Sequence, residues 1–287
     1  MVHLASVPGP DDRVGAGATD DADALGPRAR NRLARHRSYL EAALHIVFSD
    51  GLDALTMQRL ADEVGASVGS VYTYFPSKGA LVAEVQREAI ERLATSAARL
   101  GDEIDRVTSP LAPLAAVAAF GRFWLSARET FPEEMQLLML LLSDANEVIP
   151  TADATRVVPA AMRLLGLAES RIDVAQHRGL LSAGDADRRT IDLAAALTGC
   201  LQLSVIAHWD TELLDPVHAG RRVLDALLVA WGATVDDVAG ANQVVDGLAA
   251  RAPLARPLDG HQTTSPATTP TDTASTADNP STTDTES

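Results

Sequence analysis

The chain has 287 residues, enough for two domains and a sizeable core, and carries a formal net charge of −15. Its single cysteine, Cys200, excludes an intrachain disulfide and a Cys-rich zinc site, and no uninterrupted apolar run is long enough to span a bilayer. The 46% hydrophobic content is almost all Ala, Leu and Val, and strand-length alternations of Val, Ile and Thr are absent, so an all-α protein is expected. The N-terminus, MVHLASVPGPDD, has no basic region followed by an apolar run, so a cytoplasmic location and no membrane partner are expected.

Residues 1–27 are rich in Gly, Ala and Asp without periodicity, which predicts an arm without fixed structure. A first helix is predicted from about Arg30 to Ser49, with Leu40, Ala43, Leu44 and Val47 turned inward. The stretch TMQRLADEVGASVGSVYTYFPSKGAL, residues 56–81, then reads as helix, tight turn, helix, and the start of a further helix. Thr56 is a good N-cap, Gly65 can take positive φ and end the helix, and Ser67 caps the next one. Val71 is placed to pack against Leu60, which leaves Val68, Gly69, Ser70, Tyr72, Thr73 and Tyr74 on or near the outward face. That face is small, hydroxylated and aromatic, and it has no acid that would be repelled by phosphate. A short helix of this kind, held by a second short helix, suits entry into a DNA major groove.

GASVGSVYTYFPSKGAL resembles the DNA-binding signature of the TetR/AcrR family of bacterial repressors, with an aromatic run ending the recognition helix and a lysine after it. The resemblance extends from about Arg30 to Leu93 and takes in the helix RSYLEAALHIVFSDGLDALT. The family often has Phe where this chain has Val47, with Phe48 beside it. The resemblance implies that Lys78 contacts phosphate. The residue types themselves give Tyr72 and Tyr74 hydroxyls for the phosphate backbone and an aromatic face for a thymine methyl, Gly69 and Ser70 a close approach to base edges or phosphates, and Ser70 and Thr73 an influence on sequence preference. Thr56 and Ser67 are expected at the phosphates as well as in capping, and Arg30 and Arg32 at phosphate or the neighbouring minor groove. Residues 28–82 hold seven basic and five acidic side chains and are the one net-positive part of the chain; five arginines lie between Arg28 and Arg37. The acidic remainder opposes other orientations on DNA.

Beyond residue 105 the pattern stays helical. LAPLAAVAAFGRFWLSARETF is one predicted helix, and PEEMQLLMLLLSDA, opened by Pro132, is the next. Residues 150–182 are expected to form one or two helices, with breaks near Pro159 and Gly166. Long helices follow from Asp187 to Trp209 and from Asp215 to Gly232, then a weaker one through VDDVAGANQVVDGLAARA. After about Pro253 the chain is Thr, Ser, Pro and Asp, which predicts a tail without fixed structure. The expected order is thus an arm (1–27), a helix-turn-helix, three-helix DNA-binding domain (28–76), a helical effector-binding and dimerisation domain (77–252) and the tail (253–287).

Two further sites are predicted in the second domain. Phe120, Phe123, Trp124, Met135, Met139 and His177 are candidates for an apolar pocket between helices, and the family resemblance implies such a pocket for a small apolar or amphipathic effector. Other apolar residues of this region, Phe131, Cys200, His208 and Trp209, read chiefly as core. Leu197, Leu201, Val205, Leu224 and Leu228 are expected at a homodimer interface, because two helices apolar on more than one face need cover and a palindromic operator requires two-fold symmetry. An enzyme is not expected: Cys200 lies on an apolar helix, the histidines lack metal-ligand spacing, and GASVGS follows no strand. No cofactor or metal is predicted.

Overall fold

In a computed structural model the described residues are 26–143, 151–203 and 215–257, and all their regular elements are helical. Helix α1 spans Pro27–Asp50, opening three residues before the predicted start because Pro27 occupies its first turn. A single 3-10 turn, Leu52–Ala54, leads into α2, Met57–Glu63. Helix α3 is Val68–Tyr74 and α4 is Lys78–Asp105. Each of α2, α3 and α4 begins on a hydroxyl cap. Thr56, Ser67 and Ser77 accept from the backbone N–H groups of Arg59, Ser70 and Ala80. Gly65 sits at φ 62°, where a side chain would be strained, and turns the chain between α2 and α3.

The remaining helices are α5 (Ala112–Thr130), α6 (Pro132–Ser143), α7 (Thr151–His177), α8 (Ala186–Gln202), α9 (Pro216–Ala230) and α10 (Val235–Ala249). The expected breaks at Pro159 and Gly166 do not occur, and α7 runs through both. Its buried face (Val157, Ala160, Leu164, Ala168, Ile172 and Ala175) lies along α4, and that packing outweighs the lost hydrogen bond at one proline. Helices α5 and α9 meet through reciprocal glycines. A Cβ on Gly121 would lie 2.8 Å from Leu224, and one on Gly220 would lie 2.4 Å from Leu125. The glycines are what let the two backbones approach.

Two hydrophobic cores result. The first joins α1, α2 and α3 around Tyr39, Leu40, Ile46, Leu60, Val71 and Phe75, and it includes Leu81, Val82, Val85 and Ala89 from the start of α4. The second fills the rest of the helical body, taking Ala83 of α4 and then residues from Ile90 onward. Helix α6 serves both: Leu137 is buried in the first, Met135 and Leu138 in the second. At this seam Arg92 of α4 reaches Glu134 of α6 at 3.3 Å, with both side chains nearly buried.

The predicted boundary at Pro253 needs correction. Leu254 and Ala255 are buried in the second core. Arg256 forms a two-pronged ion pair with Glu103 of α4, at 2.8 and 2.9 Å. The Ser96 hydroxyl donates to the Arg256 carbonyl and accepts from the Arg256 N–H. The segment through Pro257 is therefore a strap across α4, fixed by partners some 150 residues earlier in the chain. Residues 1–25, 144–150, 204–214 and 258–287 lie outside the described set, and with them most of the predicted arm and of the tail, Val205, His208 and Trp209; Pro27, predicted in the arm, opens α1.

Candidate nucleic-acid interface

Seven residues make up α3, and only Val71 among them is fully buried, against Leu60 as the sequence predicts. Gly69, Tyr72 and Thr73 are exposed; Tyr72 shows 51% of its surface to solvent. A Cβ on Gly69 would meet nothing within 4 Å, so the surface there is open to a close partner. Thr73 donates to the Gly69 carbonyl, which fixes its hydroxyl on the same face. Thr56 and Ser67 are exposed, and each accepts from a backbone N–H while keeping its own O–H to donate outward. No acid occurs in the first turn of α3.

The other predicted contacts are partly turned inward. Val68, Ser70 and Tyr74 are half-buried. Tyr39 of α1, fully buried, explains two of them. Its hydroxyl lies 2.9 Å from the Ser70 Oγ, and its ring centroid is 5.2 Å from that of Tyr74. Tyr74 also lies 6.1 Å from the His36 ring. Tyr74 and Ser70 thus orient α3 on α1 as well as bordering its outer face. Sequence reading missed Tyr39, although it lies at helical spacing with the inward Ala43 and Ile46.

Lys78 is exposed at the first position of α4, and its Nζ donates to the Leu52 carbonyl at 3.3 Å. That contact uses one of its three donors and holds the ammonium against the 3-10 turn between α1 and α2. Arg28, Arg30, Arg32, Arg35 and Arg37 are all exposed on the first half of α1. Arg30 and Arg32 therefore project from a helix rather than an extended arm, a geometry for phosphate contact more than for threading the minor groove.

The predicted pocket residues do not come together. Phe123 is fully buried and Trp124 nearly so, in the second core. Phe120 borders a crevice of about 20 Å³, room for no more than a water. His177 is exposed at the end of α7, bonded to the Asp173 carbonyl. Only Met135 and Met139 share a cavity, one of about 340 Å³ bounded by α1, α5, α6 and α8.

The predicted dimer leucines also need correction. Leu197, Leu201, Leu224 and Leu228 are buried in the protomer's own core, packed towards α5 and α6. The faces that α8 and α9 leave open carry Ile191, Ala195 and Gly199 on one helix and Ala226, Val229 and Ala230 on the other. Period alone could not separate these faces, since both are apolar or small. Cys200 is buried, and burial pushes its thiol above the usual range, which leaves it a poor nucleophile. Among the described residues no group of His, Cys, Asp and Glu is arranged to hold a metal, and no helix is long and apolar enough to cross a membrane.

Residues 40–85 match the family model described as bacterial regulatory proteins, tetR family. A 63-residue stretch is 38% identical to the HTH-type transcriptional repressor DrrR1 of Streptomyces coeruleorubidus, covering 22% of this chain and 23% of that one. This chain spans only about a quarter to a third of the length of the curated relatives it matches, 23% and 36%. The fold extends further. A TetR transcription regulator from Haloarcula marismortui superposes with a TM-score of 0.54 at 20% identity, over 69% of this chain and 98% of that one. FadR from Bacillus subtilis, in complex with stearoyl-CoA, superposes with a TM-score of 0.51 at 12% identity, over 66% and 97%. The sequence likeness to the tetR family of bacterial regulatory proteins is thus carried by residues 40–85, in the helix-turn-helix, and beyond them the likeness is one of fold.

Proposed function

We propose that this protein is a homodimeric, DNA-binding transcriptional regulator, a repressor released from a palindromic operator by a small apolar or amphipathic ligand. The observation that carries the reading is the outer surface of α3: exposed, acid-free and rich in hydroxyls, with Lys78 opening the next helix and five exposed arginines on the first half of α1. Phosphate contacts, the Tyr72 hydroxyl among them, position such a domain, and Ser70 and Thr73 are left for the base edges. Lys78→Ala is expected to weaken binding to all DNA sequences about equally and to lower the slope of log affinity against log salt by roughly one. An unchanged slope, measured by fluorescence anisotropy on a labelled duplex, overturns the assignment of Lys78.

Dimerisation is assigned to the open faces of α8 and α9. Gly199 has nothing within 4 Å of a built Cβ, so Gly199→Arg leaves the protomer intact. It is expected to give a folded monomer in sedimentation with much weaker operator binding. A charge at Leu201 or Leu228 instead enters the core and unfolds the protomer, costing several kcal/mol. A Gly199→Arg protein that sediments as a dimer rules out this interface.

A second reading keeps the DNA-binding role and limits the helical body to assembly or partner binding. The closed packing around Phe123 and Trp124 favours it. Ligand responsiveness is supported by the capture of stearoyl-CoA in the FadR structure of the same fold. Titration of a bound ligand against operator DNA separates the two readings, because reciprocal weakening is required of an inducer.

A further inference from the structure

A hydroxyl both donates and accepts, so a Ser or Thr facing a base discriminates only where something fixes which of the two it does. On α3 the inward partners fix it. Tyr39 is fully buried, and the one partner of its hydroxyl among the described residues is the Ser70 Oγ, at 2.9 Å. Ser70 itself is half-buried and borders the outer face. If Ser70 donated to Tyr39, the phenolic proton would be sealed in the first core without an acceptor and would bear the full cost of its desolvation. Tyr39 therefore donates and Ser70 accepts. The Ser70 O–H has no acceptor of its own among the described residues and is left to turn outward. Thr73, one turn further along α3, has the opposite arrangement. Its hydroxyl donates to the Gly69 carbonyl at 3.0 Å, so its proton is spent within the helix and the exposed oxygen offers lone pairs alone.

We propose that α3 presents a fixed donor at Ser70 and a fixed acceptor at Thr73, and that this polarity, with Tyr39 as the positioning residue behind Ser70, sets two base preferences of the operator half-site. In the major groove guanine offers its N7 and O6 acceptors and thymine its O4, whereas cytosine offers the N4 donor and adenine the N6 donor beside N7. A donor at Ser70 suits guanine or thymine and leaves the amino group of cytosine unpaired. An acceptor at Thr73 suits cytosine or adenine and is repelled by the paired acceptors of guanine. The inference rests on the placement of α3 at DNA given above, and adds which base edges that helix accepts.

The test enriches a random-sequence duplex library with the full-length protein and its variants. Ser70→Ala is expected to flatten one position of each half-site, where the wild-type protein disfavours cytosine. Thr73→Val, which keeps the shape and loses the hydroxyl, is expected to flatten another, where the wild-type protein disfavours guanine. Each such contact is worth about fivefold in affinity. Tyr39→Phe frees Ser70 to accept as well as donate. It is expected to admit cytosine at the Ser70 position alone, with the Thr73 position and the salt slope unchanged, and to alter no preference further in a Ser70→Ala background. Ser70 and Thr73 lie outside the core, so their variants read the polarity whether or not Tyr39→Phe folds. A wild-type preference for cytosine at the Ser70-dependent position, or for guanine at the Thr73-dependent one, overturns the polarity, as does a motif that both variants leave unchanged. A Tyr39→Phe protein with the wild-type profile, or one weakened alike on all sequences, overturns the role of Tyr39. Enrichment of no motif by the wild-type protein contradicts the placement of α3 itself, and the polarity with it.

Discussion

Gly69→Glu is expected to raise the stability of the protein and abolish its binding to DNA. Gly69 is the second residue of α3, its built Cβ meets nothing within 4 Å, and its φ is not in the left-handed region. Replacing glycine in a helix gains about 0.5–1 kcal/mol from reduced backbone freedom, and an acid in the first turn adds about 0.3–1 kcal/mol from the helix dipole. On DNA the same carboxylate faces phosphate, and such like-charge contact costs several kcal/mol, a loss of about 100-fold or more. The opposed signs matter, because a variant that merely misfolds loses both. Thermal denaturation and anisotropy on the same sample check it. Retained affinity contradicts the placement of α3 at the DNA.

Glu134→Ala is expected to cost about 3 kcal/mol, and Glu134→Gln less, because the amide oxygen can still accept from Arg92 although the charge is gone. The pair with Arg92 is nearly buried, and removing one partner strands a charge, which typically costs about 3–5 kcal/mol. Glu88, 3.5 Å from the Arg92 Nε, offsets part of that. Burial pushes the Glu134 carboxyl above its ordinary value of 4.5, against the smaller pull of a backbone hydrogen bond and of Arg92. The native state then holds this proton at a pH where the unfolded chain has released it. The resulting stability is full below about 4.5 and is lost as pH rises through the raised native value. Glutamine has no proton to lose, so Glu134→Gln is expected to remove that component from the pH profile. Urea midpoints across a pH series read both effects, and a wild-type profile matched by Glu134→Gln throughout contradicts the account.

The helix-turn-helix was legible because its determinants are local. Thr56, Ser67 and Ser77 each reach a donor three residues ahead, and Gly65 acts on its own backbone. The acid-free outer face of α3 follows from composition over seven residues. What was illegible depends on distant partners. Tyr39 draws Ser70 and Tyr74 partly inward from 31 and 35 positions away. The strap at Leu254–Arg256 reads as tail until Ser96 and Glu103 are brought beside it. The helices of the body are apolar or small on two faces, so period could not show that Leu197 and Leu228 point inward while Ala195 and Val229 point out. The aromatic run from Phe120 to Phe131 reads as core or as pocket lining, and in the fold it is mostly core.

The central claim is that two copies of α3, related by a two-fold axis, read DNA. Enrichment of a random-sequence duplex library by the full-length protein at low salt tests it and requires no operator to be chosen in advance. The expected result is a two-fold symmetric motif whose half-site centres lie one helical turn, about 34–36 Å, or a multiple of it apart, and which Gly69→Glu fails to enrich. No enriched motif, or an asymmetric one recovered equally by Gly69→Glu, contradicts the claim.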